Sequence, residues 1–195
     1  MAEHQAKAKE IAIELLARRA GERLLEVGVG TGWALARVLS NSGAPGAIGL
    51  DVAPGMLDVA RQRLSELGSK APGLVLGDGS RLPFRNASFD CLLCTYTLEV
   101  LPSDTVAPVL VEFQRVLRPR GRLVVAGLTE GEGDDAAFTD DWKRRYTADP
   151  QYFGGSRPLV LAPLLAAAGY ELIGRRYSGH GAGWPSEIVL ASTPQ

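Results

Sequence analysis

Cysteine, histidine and methionine each occur only twice in the 195 residues. The two cysteines, Cys91 and Cys94, fit a reducing compartment. They form a C-x-x-C, but inside "FDCLLCTY", which reads as a buried strand. Residues three apart on a strand point to opposite faces, so the pair reads as two small core residues rather than a metal or redox half-site. No metal is expected. Long hydrophobic runs are also missing: "LVLAPLLAAAGY" is too short to span a bilayer and contains Pro163. Neither charge sign dominates, with 21 Lys and Arg against 22 Asp and Glu and a net charge of -1. A duplex nucleic-acid partner would want a clustered basic face, so none is expected. The opening "MAEHQAKAKE" mixes both signs and lacks the apolar core of a signal peptide, which makes the cytoplasm the expected location. There is no internal repeat, low-complexity tract or linker. The length suits one domain, residues 1–195, with a sizeable core.

What is there alternates. "AKAKEIAIELLARRAG" has helical apolar spacing and predicts an N-terminal helix within residues 1–20. "RLLEVGVG" is a short apolar strand, and the helix after it has Thr31 placed as its cap. "GAIGLDVA" is a second strand ending in Asp51, followed by a helix with Pro54 in its first turn and Gly68 at its end. "GLVLGDG" gives a third strand ending at Asp78, and "FDCLLCTYTL" a fourth, apolar throughout and therefore central. "SDTVAPVLVEFQRVLRP" is a helix stopped by Pro119, and "GRLVVAGLT" a fifth strand. Regularity fails between residues 130 and 157, which are polar, aromatic and Gly-rich. A helix and two strands, "YELIGRRY" and "SEIVLAST", complete the chain. Alternation with apolar strands implies an α/β fold, a doubly wound parallel sheet covered on both faces. Only "SGHGAGWP" joins the last two strands, too short for a crossover helix, so they pair antiparallel.

Between the first strand and its helix, "EVGVGTGW" is stripped of side chains at Gly28, Gly30 and Gly32. Such a turn lets a ligand approach backbone N–H groups at a helix N-terminus. Asp51 can accept from both ribose hydroxyls, and Asp78 from the exocyclic amine of a base, with Gly79 leaving room. Met56 can lie against a purine face. Each alone reads equally well as a solvated acid or a core methionine; together, at successive strand ends, they point to a nucleoside. A nicotinamide fingerprint needs a small residue at position 33, which is Trp33.

The chain resembles the class I S-adenosylmethionine-dependent methyltransferases, and most of all their small-molecule branch related to ubiquinone/menaquinone biosynthesis. "LLEVGVGTG", "IGLDVAPGML", "LGDGSRLPFRNASFDCLLCTYTLEVL" and "RVLRPRGRLVV" carry the resemblance. The last departs from the family in having Arg120 where a second glycine is usual, a change expected to cost little at a surface turn. The resemblance implies a Rossmann-like seven-stranded sheet of order 3-2-1-4-5-7-6 with strand 7 antiparallel. It implies that Gly28, Gly30 and Gly32 meet the methionine part and ribose, and that Glu26 orders the turn. It places Asp51 on the ribose hydroxyls, Asp78 and Gly79 on the adenine, and Thr95 near the sulfonium.

Methyl transfer from a sulfonium is an in-line displacement that asks the protein mainly to align reactants and exclude water. The acceptor is expected over the same sheet edge, under the N-terminal helix, the 130–157 lid or the last loop. Tyr96 and His180 are the candidates for a catalytic role, with His180 equally a solvated loop histidine. Glu99 either faces the acceptor or serves as a cap or surface residue. Glu130, Glu132, Asp134, Asp135, Asp140 and Asp141, with Trp142, Tyr146, Tyr152 and Phe153, form either a lid selecting a cationic or planar acceptor or a solvated loop leading into a short cap helix. The expected partner is a small-molecule methyl acceptor. The other readings are a non-catalytic S-adenosylmethionine-binding regulatory protein and a macromolecular methyltransferase acting on RNA or protein.

Overall fold

A computed structural model describes residues 2–42, 46–68, 72–179, 181 and 183–195. Its elements run α1 (Ala2–Leu16), β1 (Leu24–Val27), α2 (Trp33–Ser42), β2 (Ala47–Asp51), α3 (Pro54–Ser65), β3 (Gly73–Leu76), β4 (Phe89–Thr95), α4 (Ser103–Val116), β5 (Leu117–Leu128), α5 (Ala136–Ala148), α6 (Leu161–Ala167), β6 (Glu171–Ser178) and β7 (Ser186–Ser192). The strands form one sheet of order β3-β2-β1-β4-β5-β7-β6. β1 to β5 are parallel, and β7 runs antiparallel to both β5 and β6. The short glycine-rich link between β6 and β7 therefore does what its length demands.

Parallel register brings the C-terminal ends of the strands to one edge: Val27 lies beside Leu50 and Cys94, and Asp51 beside Leu76. Leu128 pairs with Ser186, so β7 starts at that same edge. Both faces are buried. One core joins α4 and α6 to Leu25, Val27, Leu92 and Cys94; the other joins α1, α2 and α3 to Leu24, Cys91 and Leu93. Cys91 and Cys94 thus sit in opposite cores, as strand alternation requires. Among the described residues no helix is long and apolar enough to cross a membrane.

Several local expectations are corrected. α2 begins at Trp33, so Thr31 precedes its cap position, and the Thr31 hydroxyl instead accepts a hydrogen bond from Arg63 at 2.7 Å. β3 ends at Leu76, which leaves Asp78 in the turn beyond it. α4 stops at Val116, ahead of Pro119, because Leu117 turns extended to pair with Phe89 and the residue before a proline disfavours helix. Arg120 holds φ at 58°. A left-handed residue with a Cβ costs about 1 kcal/mol or more, so this arginine is not the neutral replacement the sequence implied. Arg120→Gly should raise stability by up to about 1 kcal/mol after the extra freedom of glycine in the unfolded chain is counted. Thermal unfolding would read this as a rise of about 2–4 °C.

Candidate functional site

β1 is the origin of the site. Leu24 and Glu26 point to the α1–α3 face of the sheet, and Leu25 and Val27 to the other. The carboxylate of Glu26 is therefore placed in a hydrocarbon core, 1% exposed. Its Oε2 is fully buried and has no hydrogen-bond partner among the described residues. Burial pushes the group up to about 8; Lys9 opposes that shift, Asp51 adds to it, and the Leu35 backbone N–H in the first turn of α2 favours the ionised form. An orphaned buried carboxylate oxygen is costly, and here it opens onto a cavity.

That cavity encloses about 350 Å³ between the glycine turn and α1, within the size range of small-molecule sites, roughly 300–1,000 Å³. Glu26, Gly28, Gly30, Thr95 and Tyr96 form its strand-end wall, Met56 its rim, and Gln5 and Lys9 of α1 its roof. Gly28, Gly30 and Gly32 all have positive φ, at 72°, 51° and 73°. They differ in what a side chain would meet. A Cβ on Gly28 would fall 2.0 Å from Thr97 Oγ1, and one on Gly32 would press on the Ala60 backbone at 3.2 Å, where α2 crosses α3. A Cβ on Gly30 meets only the Gly28 carbonyl at 3.9 Å. Gly30 thus faces open cavity, whereas Gly32 serves helix packing.

Asp51 organises this turn. Its Oδ2 accepts the Gly30 N–H at 2.7 Å and its Oδ1 accepts the Ala53 N–H at 2.9 Å. Glu26, expected to order the turn, bonds the Leu35 backbone at the start of α2, while Asp51 holds Gly30. An ionised carboxylate has about four lone-pair sites, so Asp51 keeps acceptor capacity beyond these two bonds. Asp78 is exposed beyond β3, where Ser80 donates to it from backbone and hydroxyl and holds its carboxyl below the usual range. A Cβ on Gly79 would meet Val27 at 3.3 Å and Val109 at 3.8 Å. Asp51, Asp78, Gly79 and Gly32 stand outside the cavity wall, and the shelf beside β3 is open surface.

Tyr96 follows β4 with φ at 54°, a conformation rare for a bulky residue and concentrated at functional sites. Its hydroxyl lies 2.6 Å from Ser186 Oγ, which donates onward to the Trp184 carbonyl. The phenol proton is therefore committed to Ser186, and burial pushes the phenol's pKa up. Glu99 is neither a cap nor a surface residue. It is buried, accepts the Leu128 N–H at 3.2 Å, and is pushed up to about 7 by burial. His180 lies outside the described residues.

In the 130–157 segment, Lys143 pairs with Glu130, Arg144 and Arg145 with Asp141, and Arg175 with Glu132. These acids are thus paired with cations of α5 and β6. The aromatics behave differently. Trp142 packs on Trp184 and Leu128, and Phe138, Trp142, Tyr152 and Trp184 line a second cavity of about 220 Å³. Tyr96 packs against this cluster while lining the first cavity, so it stands between the two.

The family model described as a methyltransferase domain matches residues 25–125, just over half of the chain. The chain belongs to the methyltransferase-domain family. The demethylmenaquinone methyltransferase of Tropheryma whipplei is 38% identical over 117 residues, 60% of this chain and 46% of that protein. The malonyl-[acyl-carrier protein] O-methyltransferase of Serratia marcescens is 36% identical over 124 residues, 64% of this chain and 44% of that one. The chain spans about half the length of these curated relatives. Among solved structures, a putative methyltransferase from Bacillus halodurans superposes with a TM-score of 0.75 at 18% identity, covering 97% of this chain and 100% of that one. The [4+2]-cyclase SpnF reaches 0.76 at 23% identity, covering 96% and 81%. At such identities the superpositions establish the Rossmann-like methyltransferase fold and no more.

Gln5, Lys9, Trp33 and Arg63 also line the cavity, and none was picked out from sequence as a site residue. For the first two a signal existed: Gln5 and Lys9 are four apart on α1, hence on one stripe of a helix otherwise read for its apolar positions.

Proposed function

We propose that this methyltransferase-domain protein binds S-adenosylmethionine in the 350 Å³ cavity and transfers its methyl group to a small-molecule acceptor. The observation that carries the reading is Glu26 Oε2, a buried acceptor without a partner facing a cavity walled by bare glycines. An α-ammonium is the group that would satisfy it. Gly28 and Gly30 would take the rest of the amino-acid tail and the ribose, Asp51 the ribose hydroxyls with its remaining lone pairs, and Met56, Asp78 and Gly79 the adenine on the open shelf. Thr95 would lie nearest the sulfonium. The cofactor supplies a methyl group already activated on sulfur; the chain's part is to hold, align and keep water out.

A small acceptor suits an enclosed cavity roofed by α1 and flanked by the aromatic cavity under α5, and the chain carries no excess of positive charge for a nucleic acid. Tyr96 would orient the acceptor rather than deprotonate it, since its proton is held on Ser186. His180 remains the candidate for a base. The names of the relatives supply two acceptors to begin with, a demethylmenaquinone and an oxygen of a malonyl group.

The test is a screen of such acceptors with cofactor carrying a labelled methyl group. Transfer of label to a small acceptor supports the reading; binding of cofactor with no transfer to any small acceptor would favour a regulatory protein or a macromolecular acceptor. A narrower expectation concerns Asp51→Ala. Losing its charge-assisted bonds should weaken binding of S-adenosylhomocysteine by about 1.5–3 kcal/mol, and unchanged affinity by calorimetry would remove Asp51 from the site.

A further inference from the structure

A carboxyl group and an ammonium line the same cavity without meeting. Glu26 Oε2 is buried and unpartnered. Lys9, on the roof, forms no hydrogen bond and no ion pair among the described residues; its ammonium stands 5.5 Å from the centre of the Tyr96 ring. The two are each other's leading charge partners, and Lys9 also feels Glu99. Had the pair been built for stability alone, the side chains would close to contact, because leaving both apart and dehydrated is costly. The separation instead leaves a slot between the Glu26 carboxyl group, which burial keeps protonated until a cation arrives, and the Lys9 ammonium.

An α-amino acid carries an ammonium and a carboxylate on one carbon, and such a group fills the slot in one orientation only. We infer that Lys9 is a binding residue for the carboxylate of the cofactor's amino-acid tail, opposite Glu26, which takes its ammonium. This inference rests on the cofactor reading above and adds a residue contributed by α1, so that the N-terminal helix is part of the binding site and not just a cover. Gln5, one turn earlier on the same stripe, offers an amide donor beside it. The Tyr96 ring keeps the ammonium in place by a cation–π contact, which links cofactor recognition to the residue that borders the aromatic cavity.

Calorimetry with two probes tests this: S-adenosylhomocysteine, and its analogue lacking only the carboxylate. Wild-type protein should bind the analogue about 10- to 100-fold more weakly. Lys9→Met, which keeps the apolar stem, should lose a similar factor for S-adenosylhomocysteine and almost nothing for the analogue. Equal losses for both probes, or no loss for S-adenosylhomocysteine, would overturn the assignment. If Lys9→Met does not fold, the two probes on wild-type protein still decide, because equal affinities would deny the carboxylate any partner. Failure of wild-type protein to bind either probe is a different result, which overturns the cofactor reading and this inference with it.

Discussion

Gly28→Ala is expected to abolish cofactor binding and to destabilise the fold by about 3 kcal/mol. Two costs combine. At a φ of 72° a Cβ carries a left-handed penalty of about 1–2 kcal/mol. The same atom would stand 2.0 Å from Thr97 Oγ1 and 2.8 Å from Thr97 Cβ, so the whole Thr97 side chain would have to leave. That adds about 1–3 kcal/mol of overpacking. Thr97 holds the Thr95 carbonyl through its hydroxyl at 3.2 Å, so the displacement reaches the end of β4, where the methyl group would be presented. Gly30→Ala is the control. At a φ of 51° it carries the same left-handed penalty of about 1–2 kcal/mol, but it displaces no side chain, meeting only a carbonyl at 3.9 Å, and its methyl enters the cavity. Thermal unfolding with and without S-adenosylhomocysteine separates the two: Gly28→Ala should lower the melting temperature of the free protein more than Gly30→Ala does, and Gly30→Ala should also remove the rise caused by ligand.

The second large effect is a pH dependence opposite to the usual one for a carboxylate. Burial raises Glu26 to about 8 in the folded protein, from an ordinary value of 4.5. Between those values the folded state holds a proton that the unfolded state has released, so stability is greatest below the unfolded value and falls as pH rises through the folded one. Near pH 8 and above, Glu26→Gln should therefore make the free protein more stable, by up to about 4 kcal/mol. Glu99, raised to about 7, adds a smaller change of the same sign. Ligand reverses the preference. An ammonium beside Glu26 favours its charged form, so binding should expel a proton near pH 7, and affinity should climb by up to about tenfold per pH unit towards pH 8. Calorimetry in buffers of different ionisation enthalpy measures that proton directly. Glu26→Gln, which cannot release one, should show a flat profile.

Much of this was legible before any coordinates. The glycine turn, Asp51 at the end of β2 and the antiparallel β6–β7 hairpin follow from local rules about backbone, strand period and loop length. So does the placement of Cys91 and Cys94 in opposite cores. What escaped the sequence depends on tertiary packing. Lys9 and Gln5 look like the polar side of an amphipathic helix until α1 is laid across the cavity. Glu99 reads from sequence either as facing the acceptor or as a cap or surface residue, because the Leu128 N–H that it accepts belongs to β5, far along the chain. Asp51 and Glu26 are both carboxylates at strand ends. Only the geometry shows that the first ties down the turn while one oxygen of the second, Oε2, is left without a partner among the described residues. The acids of the 130–157 segment meet their cations on α5 itself, at Lys143, Arg144 and Arg145, and on β6, at Arg175, which lies too far along the chain to be paired from sequence.

The central claim is that the unpartnered carboxylate of Glu26 is the anchor of the cofactor's amino-acid tail. A crystal structure of the complex with S-adenosylhomocysteine tests it most directly. The account predicts the ligand ammonium within hydrogen-bond distance of Glu26 Oε2, the ribose against Gly30 and the sulfur beside Thr95. A ligand bound elsewhere, or bound here with Glu26 Oε2 still without a partner, would contradict it.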